Sequence, residues 1–270
     1  MKTLYDDYKK FEELAKSSNV KVINLNESLL KPSIMLPLIN YSINNNITLK
    51  INQSVVNEYL INEDKFSNYI ELAYLEESRK NEIIQELALN MNYEEFCGLQ
   101  SIVYIFNELV TNVLDHSSIK NENLNKFYIY TKEYSDLNLL DVSIMDNGLS
   151  IPGNFEYHNI DFIDDCHAIS KAVNQFSTKK DSFESIRYSR GFGLWSTLKL
   201  VIEGNLGSAL IVSRNGCLNI VSKDNHKYYN LNNSNIFYGT LVSLRLRKDK
   251  IENFYELIEI NESNNYKYKE

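Results

Sequence analysis

The stretch from Asn107 to Ser117, NELVTNVLDHS, constrains this chain more than any other. Around it Phe96, Leu99, Ile102, Val103, Phe106, Leu109, Val110 and Val113 recur at three- and four-residue steps. That spacing predicts one amphipathic helix with a single apolar stripe. Asn92, with Glu95 three places on, reads as its capping start. Glu108, Asn112 and Asp115 stand at i, i+4 and i+7, so two carboxylates and an amide share one polar face. A face made only for water mixes Lys with Glu, yet no lysine lies between Ser101 and His116. By itself such a face is weak ground for a site, since most are simply solvated. Three more distant stretches of the chain give it weight.

These stretches come in a fixed order. Asp146-Asn147-Gly148-Leu149-Ser150-Ile151-Pro152 ends an apolar strand, and Arg190-Gly191-Phe192-Gly193-Leu194 opens a helix. Tyr238-Gly239-Thr240-Leu241-Val242-Ser243-Leu244 begins a late strand. With the first helix, this order resembles the N, G1, G2 and G3 boxes of the GHKL ATP-binding superfamily. That superfamily groups DNA gyrase, a heat-shock chaperone, histidine kinases and MutL. The resemblance covers Tyr93 to Arg247. It implies a Bergerat-type α/β sandwich, a mixed and largely antiparallel sheet with helices on one face, binding ATP and Mg²⁺. Within the superfamily, Glu108 to His116 looks most like the anti-sigma-factor serine kinases.

The resemblance carries roles onto matching residues. Asn112 matches the asparagine that ligates Mg²⁺, and a neutral amide oxygen suits a hard cation. Glu108 matches the residue that positions or deprotonates the attacking water or hydroxyl; the alternative is a surface carboxylate in a binder that does not hydrolyse. Asp115 would orient its neighbours. His116 matches a basic position in histidine kinases and would approach phosphate, unless it is a structural histidine. Asp146 would accept a hydrogen bond from the exocyclic amine of adenine, where guanine presents an oxygen. Gly148 would let the backbone approach the base, with Ile151 beside it. Gly191 and Gly193, before Leu194, would free backbone N–H groups for phosphate. Lys179 and Arg190, with Lys180 and Arg187, would meet the γ-phosphate from a lid over Gly153 to Ser189. Thr240 would reach the adenine edge. One departure stands out: the pattern wants a second glycine where this chain has Ser150.

Composition narrows the class. A chain of 270 residues with 43% hydrophobic and 24% charged residues has the make-up of a soluble globular protein. A net charge of −8 argues against coating nucleic acid or a polybasic membrane role. No apolar run is long enough to span a bilayer, and no signal-peptide core is visible. Cys97, Cys166 and Cys217 lie far apart without a CxxC, which fits a reducing cytoplasm.

The expected organisation is a small α/β region over 1–90, an ATP-binding domain over 91–250 and a polar tail over 251–270. Helices are expected at Thr3 to Ser17, Lys31 to Ile43 and Ser54 to Ile61, with strands at Val20 to Leu25 and Ile47 to Ile51. This strand–helix–strand–helix order predicts parallel pairing and looks faintly like half of a STAS-type domain, the alternative being a small α/β extension that packs on the ATP-binding domain. Asp64 to Asn90 permits helices and reads as a connector. Beyond the first motif come strands at Phe127 to Lys132 and Leu139 to Met145, then helices at Ile163 to Phe176 and Leu194 to Glu203. A hairpin is expected at Asn215-Gly216 between Ser208 to Ser213 and Cys217 to Lys223, followed by an Asn-rich loop, the strand Thr240 to Leu246 and a short helix near Phe254.

Three functions are open at this level: an Mg²⁺-dependent ATPase or protein kinase, an ATP-gated interaction module, and a domain that has lost its nucleotide. The intact Glu108, Asn112, Asp146 and Gly193 disfavour the last. Histidine-kinase signalling is disfavoured because all four histidines lie within or after the first box. A protein partner or substrate is expected, with a homodimer as one arrangement. Ser33, at a helix start, would match the phosphoserine position of a STAS-like partner.

Overall fold

The structure is a computed structural model that describes residues 2–17, 21–56, 67–72, 77–89, 94–117, 127–174, 193–232 and 236–258. Thr3 and Asp6 cap the first helix, α1 (Leu4–Ser17), reciprocally. The Thr3 hydroxyl accepts from the Asp6 N–H at 3.1 Å, and the Asp6 carboxylate accepts from the Thr3 N–H at 2.9 Å. Leu4, Tyr8, Phe11 and Ala15 form its buried side. Strand β1 (Val22–Leu25), helix α2 (Pro32–Asn44) and strand β2 (Thr48–Ile51) follow, with β1 and β2 parallel as the crossover requires. The helix expected from Ser54 does not start there. Asn52 and Gln53 have φ of +46° and +72° and turn the chain back, so Ser54 and Val55 form a short strand, β3, antiparallel to β2. Residues 57–61 lie outside the described part.

Helix α2 is buried at every position from Pro32 to Ser42. A helix without a wet face must be covered all round. It lies between α1 and the large sheet. Ser33 is fully buried, so its hydroxyl cannot meet a kinase in this conformation, contrary to the expectation from its place at a helix start.

Among the described residues the large sheet has seven strands, every neighbouring pair antiparallel. They are β4 (Ser67–Leu72), β5 (Phe127–Tyr134), β6 (Leu139–Asp146), β7 (Ser208–Ser213), β8 (Gly216–Ser222), β9 (Asn225–Asn230) and β10 (Thr240–Arg247). Their spatial order is β4-β5-β6-β10-β7-β8-β9. Both edge strands correct the sequence reading: β4 falls in the supposed helical connector and β9 in the supposed Asn-rich loop. Strand β9 is mostly exposed, so it carries no alternating apolar signal.

One face of this sheet packs under the helices α3 (Glu77–Leu89), α4 (Glu94–Cys97), α5 (Leu99–Ser117), α6 (Ser150–Tyr157), α7 (Asp165–Val173) and α8 (Gly193–Lys199), the last running on as a π turn through Gly204. Val142, Ile144, Ile211, Val242 and Leu244 belong to that core. Their alternate neighbours Met145, Leu210, Val212 and Leu241 face α1 and α2 instead. The α/β sandwich therefore has its N-terminal unit seated on the outer face of the sheet.

Gly98, at φ +83°, divides the expected long helix into α4 and α5. The break rotates the stripe. Leu99 and Val103 are 43% and 37% exposed, while Ile105 is buried beside Ile102, Phe106, Leu109 and Val110. Helix α6 was hidden in the sequence by Pro152 and Gly153, yet proline is tolerated in a first turn. In α7, Asp164 caps by accepting from the His167 N–H at 2.7 Å. The β7–β8 turn places its positive φ on Arg214 rather than on Gly216. Gly216 instead opens β8, where a Cβ would come within 2.7 Å of the Asp165 carbonyl. The polar tail begins with core residues, since Ile251 and Leu257 are buried. Among the described residues, no helix is long and apolar enough to cross a membrane.

A buried chain of ions joins the N-terminal unit to the sheet. Arg245 on β10 donates to both oxygens of Asp141 on β6, at 2.6 and 2.7 Å, and lies 3.5 Å from Asp7 of α1. Asp7 also receives Lys31, at the start of α2, at 2.7 Å. Removing one member of such a pair strands a buried charge, which costs about 3–5 kcal/mol. Urea denaturation of Arg245→Met is therefore expected to show a loss of about that size, and adding Asp141→Leu to recover much of it. A loss near zero in the single variant would mean the chain contributes no stability.

Candidate functional site

The site is built on one row across the end of the sheet. Asp146, the last residue of β6, pairs with Phe127 on one side and Thr240 on the other, and Thr240 pairs in turn with Ser213. Asp146 is buried although it ends its strand. Its Oδ1 accepts from the Gly148 N–H at 2.7 Å. Burial pushes its pKa up to about 6, against the opposing pull of backbone hydrogen bonds at Gly148, Asp146 and Thr240.

Gly239 explains how the next strand comes so close. At φ +84° a Cβ would stand 1.9 Å from the Asp146 carbonyl oxygen, so only glycine fits. The Thr240 hydroxyl lies 3.0 Å from the Ser213 hydroxyl, and Ser213 accepts the Ile151 N–H at 2.9 Å. These contacts hold the start of α6 against the ends of β7 and β10.

Ser150 stands where the resembled pattern has glycine, and its φ is +72°. Left-handed backbone at a non-glycine residue costs about 1–2 kcal/mol. The serine hydroxyl offsets part of that by accepting the Gly153 N–H at 3.2 Å. The turn keeps the glycine conformation without the glycine.

Helix α5 reaches this end of the sheet by packing against β6, α6 and α8. Gly193 starts α8, and a Cβ there would lie 2.0 Å from Glu108 Oε2, so the carboxylate fills the space a side chain would need. Tyr104 and Ser196 join the same two helices through a 2.8 Å hydroxyl contact. Asn112 stands one turn after Glu108 and is half-buried. Asp115 and His116 fall in the last turn of α5, and the side chains of both lie outside the described residues. Lys179, Arg190 and Gly191 lie outside them too, as do residues 175–189 at the end of the expected lid. Leu194 packs against the core.

The fold thus joins Glu108 to Gly193, and Asp146 to Gly148, Ile151, Gly239 and Thr240. Two neighbours of these residues were missed in the sequence. Ser213 is a strand-end serine whose partner, Thr240, is 27 residues away, and no local pattern marks it. Lys80 of α3 donates to the Thr111 hydroxyl, bringing to α5 the cation that its own sequence lacks.

Neither a protein-family model nor a curated protein sequence matches this chain.

The raised pKa of Asp146 has a stability consequence of fixed sign. The folded state holds this proton more tightly than the unfolded chain, so the group favours folding below its ordinary value of 3.8 and loses that advantage as pH rises to about 6. Asp146→Asn removes the penalty while keeping an acceptor for Gly148. Its melting temperature should exceed wild type by a margin that widens between pH 4 and 6 and is constant above. A margin independent of pH would refute the raised pKa.

Proposed function

We propose that the chain binds Mg-ATP as a GHKL-type regulator and hydrolyses it or phosphorylates a protein partner. The observation that carries this reading is convergence: four stretches far apart in the chain meet in two sets, linked by α5. Glu108 fills the space beside Gly193, and Asp146 lies against Gly239 and Thr240.

In this reading the Asp146 carboxylate accepts from the exocyclic amine of adenine, which guanine cannot offer. Glu108 takes the proton from the attacking water or from a partner's hydroxyl. Asn112 supplies its amide oxygen to Mg²⁺, which when bound neutralises phosphate charge. Among the described residues no three His, Cys, Asp or Glu side chains cluster for a metal, so phosphate oxygens and water would complete its shell. Lys179, Arg190 and Gly191 keep their proposed phosphate-facing roles, as do Asp115 and His116 their supporting ones. The three free cysteines suit a cytoplasmic setting.

The burial of Ser33 favours a second reading, an ATP-gated interaction switch with little turnover, because the phosphoacceptor expected within the chain is sealed away.

Calorimetric titration separates these. Wild type is expected to bind Mg-ATP and reject Mg-GTP, and Asp146→Ala to lose about 10- to 100-fold in ATP affinity, the worth of one hydrogen bond to a charged group. Glu108→Ala should keep ATP binding and lose about 10²- to 10⁴-fold in phosphate release or transfer if the residue is a base. Unchanged turnover in Glu108→Ala would leave only the switch. Equal binding of ATP and GTP by wild type would remove the assigned role of Asp146. Binding should also weaken as pH falls through about 6, where Asp146 takes up its proton, and this dependence should vanish in Asp146→Asn.

A further inference from the structure

The segment that leads into Thr240 is held by the N-terminal unit as well as by the sheet, whose Ser213 hydroxyl donates to the Gly239 carbonyl at 3.4 Å. Phe237 is buried, its ring 6.1 Å from Tyr8 and 6.5 Å from Phe11, both on α1. Asn40, 2% exposed on α2, donates its amide N–H to the Tyr238 carbonyl at 3.2 Å. The next residue is Gly239, whose backbone presses on the Asp146 carbonyl, and then comes Thr240, paired with Asp146. Gly239 is therefore gripped from both sides, by α1 and α2 behind it and by the end of β6 in front.

We propose that Asn40 is a positioning residue for the base-binding end of the site, and that the N-terminal unit completes that site by clamping residues 236–239 onto Asp146. The proposal rests on the nucleotide reading for its ligand and on geometry alone for the clamp. An amide is suited to the task. Its N–H meets the part-buried Tyr238 carbonyl, and it does so from a helix held on every side. Without that bond the segment would still be tethered by Phe237, but nothing described would fix the plane of the Tyr238–Gly239 peptide. The Gly239 approach to Asp146 depends on that plane. Anything that shifts α2 on the sheet would then alter nucleotide affinity with no contact to the nucleotide itself.

The test compares Asn40→Leu, of similar size but with no donor, with Phe237→Leu, which loosens the same clamp. Lys223→Met serves as control, because it breaks an ion pair with Glu203 that involves neither α2 nor residues 236–239. Amide hydrogen exchange without ligand should quicken about tenfold at 239–241 and 146–148 in the first two variants, and not in the control. Mg-ATP dissociation constants should rise about tenfold in the same two and stay within about twofold of wild type in Lys223→Met. Exchange unchanged in Asn40→Leu and Phe237→Leu, or changed equally in Lys223→Met, overturns the clamp. If wild type binds no Mg-ATP while exchange quickens as stated, the nucleotide reading falls and the clamp stands.

Discussion

Eight residues of β6 pair with eight of β10 in the middle of the sheet, and the two ends of that ladder are put to different uses. At one end Arg245 and Asp141 form the buried ion pair that anchors α1 and α2. At the other, Asp146 and Thr240 stand side by side at the candidate site. Because the strands are antiparallel and in register over their whole length, a one-residue slip would turn Asp141 and Arg245 into the opposite core and carry Asp146 away from Gly239. Register is what makes anchor and site compatible.

Two residues with positive φ serve that arrangement. Ser150 adopts a conformation that glycine would take more easily, and Gly239 one that nothing else could take without displacing Asp146. Both flank the single buried carboxylate at the strand end. Burial opposes the ionised form of that acid, and the Gly148 N–H that it accepts favours it. The N-terminal unit extends the same logic. Its two helices seal the outer face of the sheet and hold the approach to Thr240, so neither the sheet nor the site is finished without them.

Much of this could be read from residues in order. The strong helix through Glu108, the strand ending at Asp146, the helix opening at Gly193 and the late strand at Thr240 all announce themselves through periodicity and glycine placement. The parallel β1–α2–β2 unit does so as well. What escaped had no local period to show. Strand β9 is exposed at the sheet edge, and β4 pairs with β5 across more than fifty residues of chain. Leu99 and Val103 look like core by spacing and are not, because Gly98 restarts the helix with a different face inward. Ser33 looks like an accessible helix start and is sealed, because α2 is covered by a sheet formed much later in the chain.

Residue order alone settles which side chains are equipped for chemistry: an acid and an amide one helical turn apart, a second acid ending an apolar strand, and glycines before a helix and a strand. Those properties come from side-chain type and from spacings of a few residues, which short-range geometry converts directly into shared faces. Folding in three dimensions is needed to put Glu108 in the space beside Gly193, to join Ser213 to Thr240, to bring Lys80 to α5, and to carry Asn40 to Tyr238. Each of these is a contact between distant parts of the chain. It is fixed by register and by which face of the sheet an element covers, and neither is written in any local stretch.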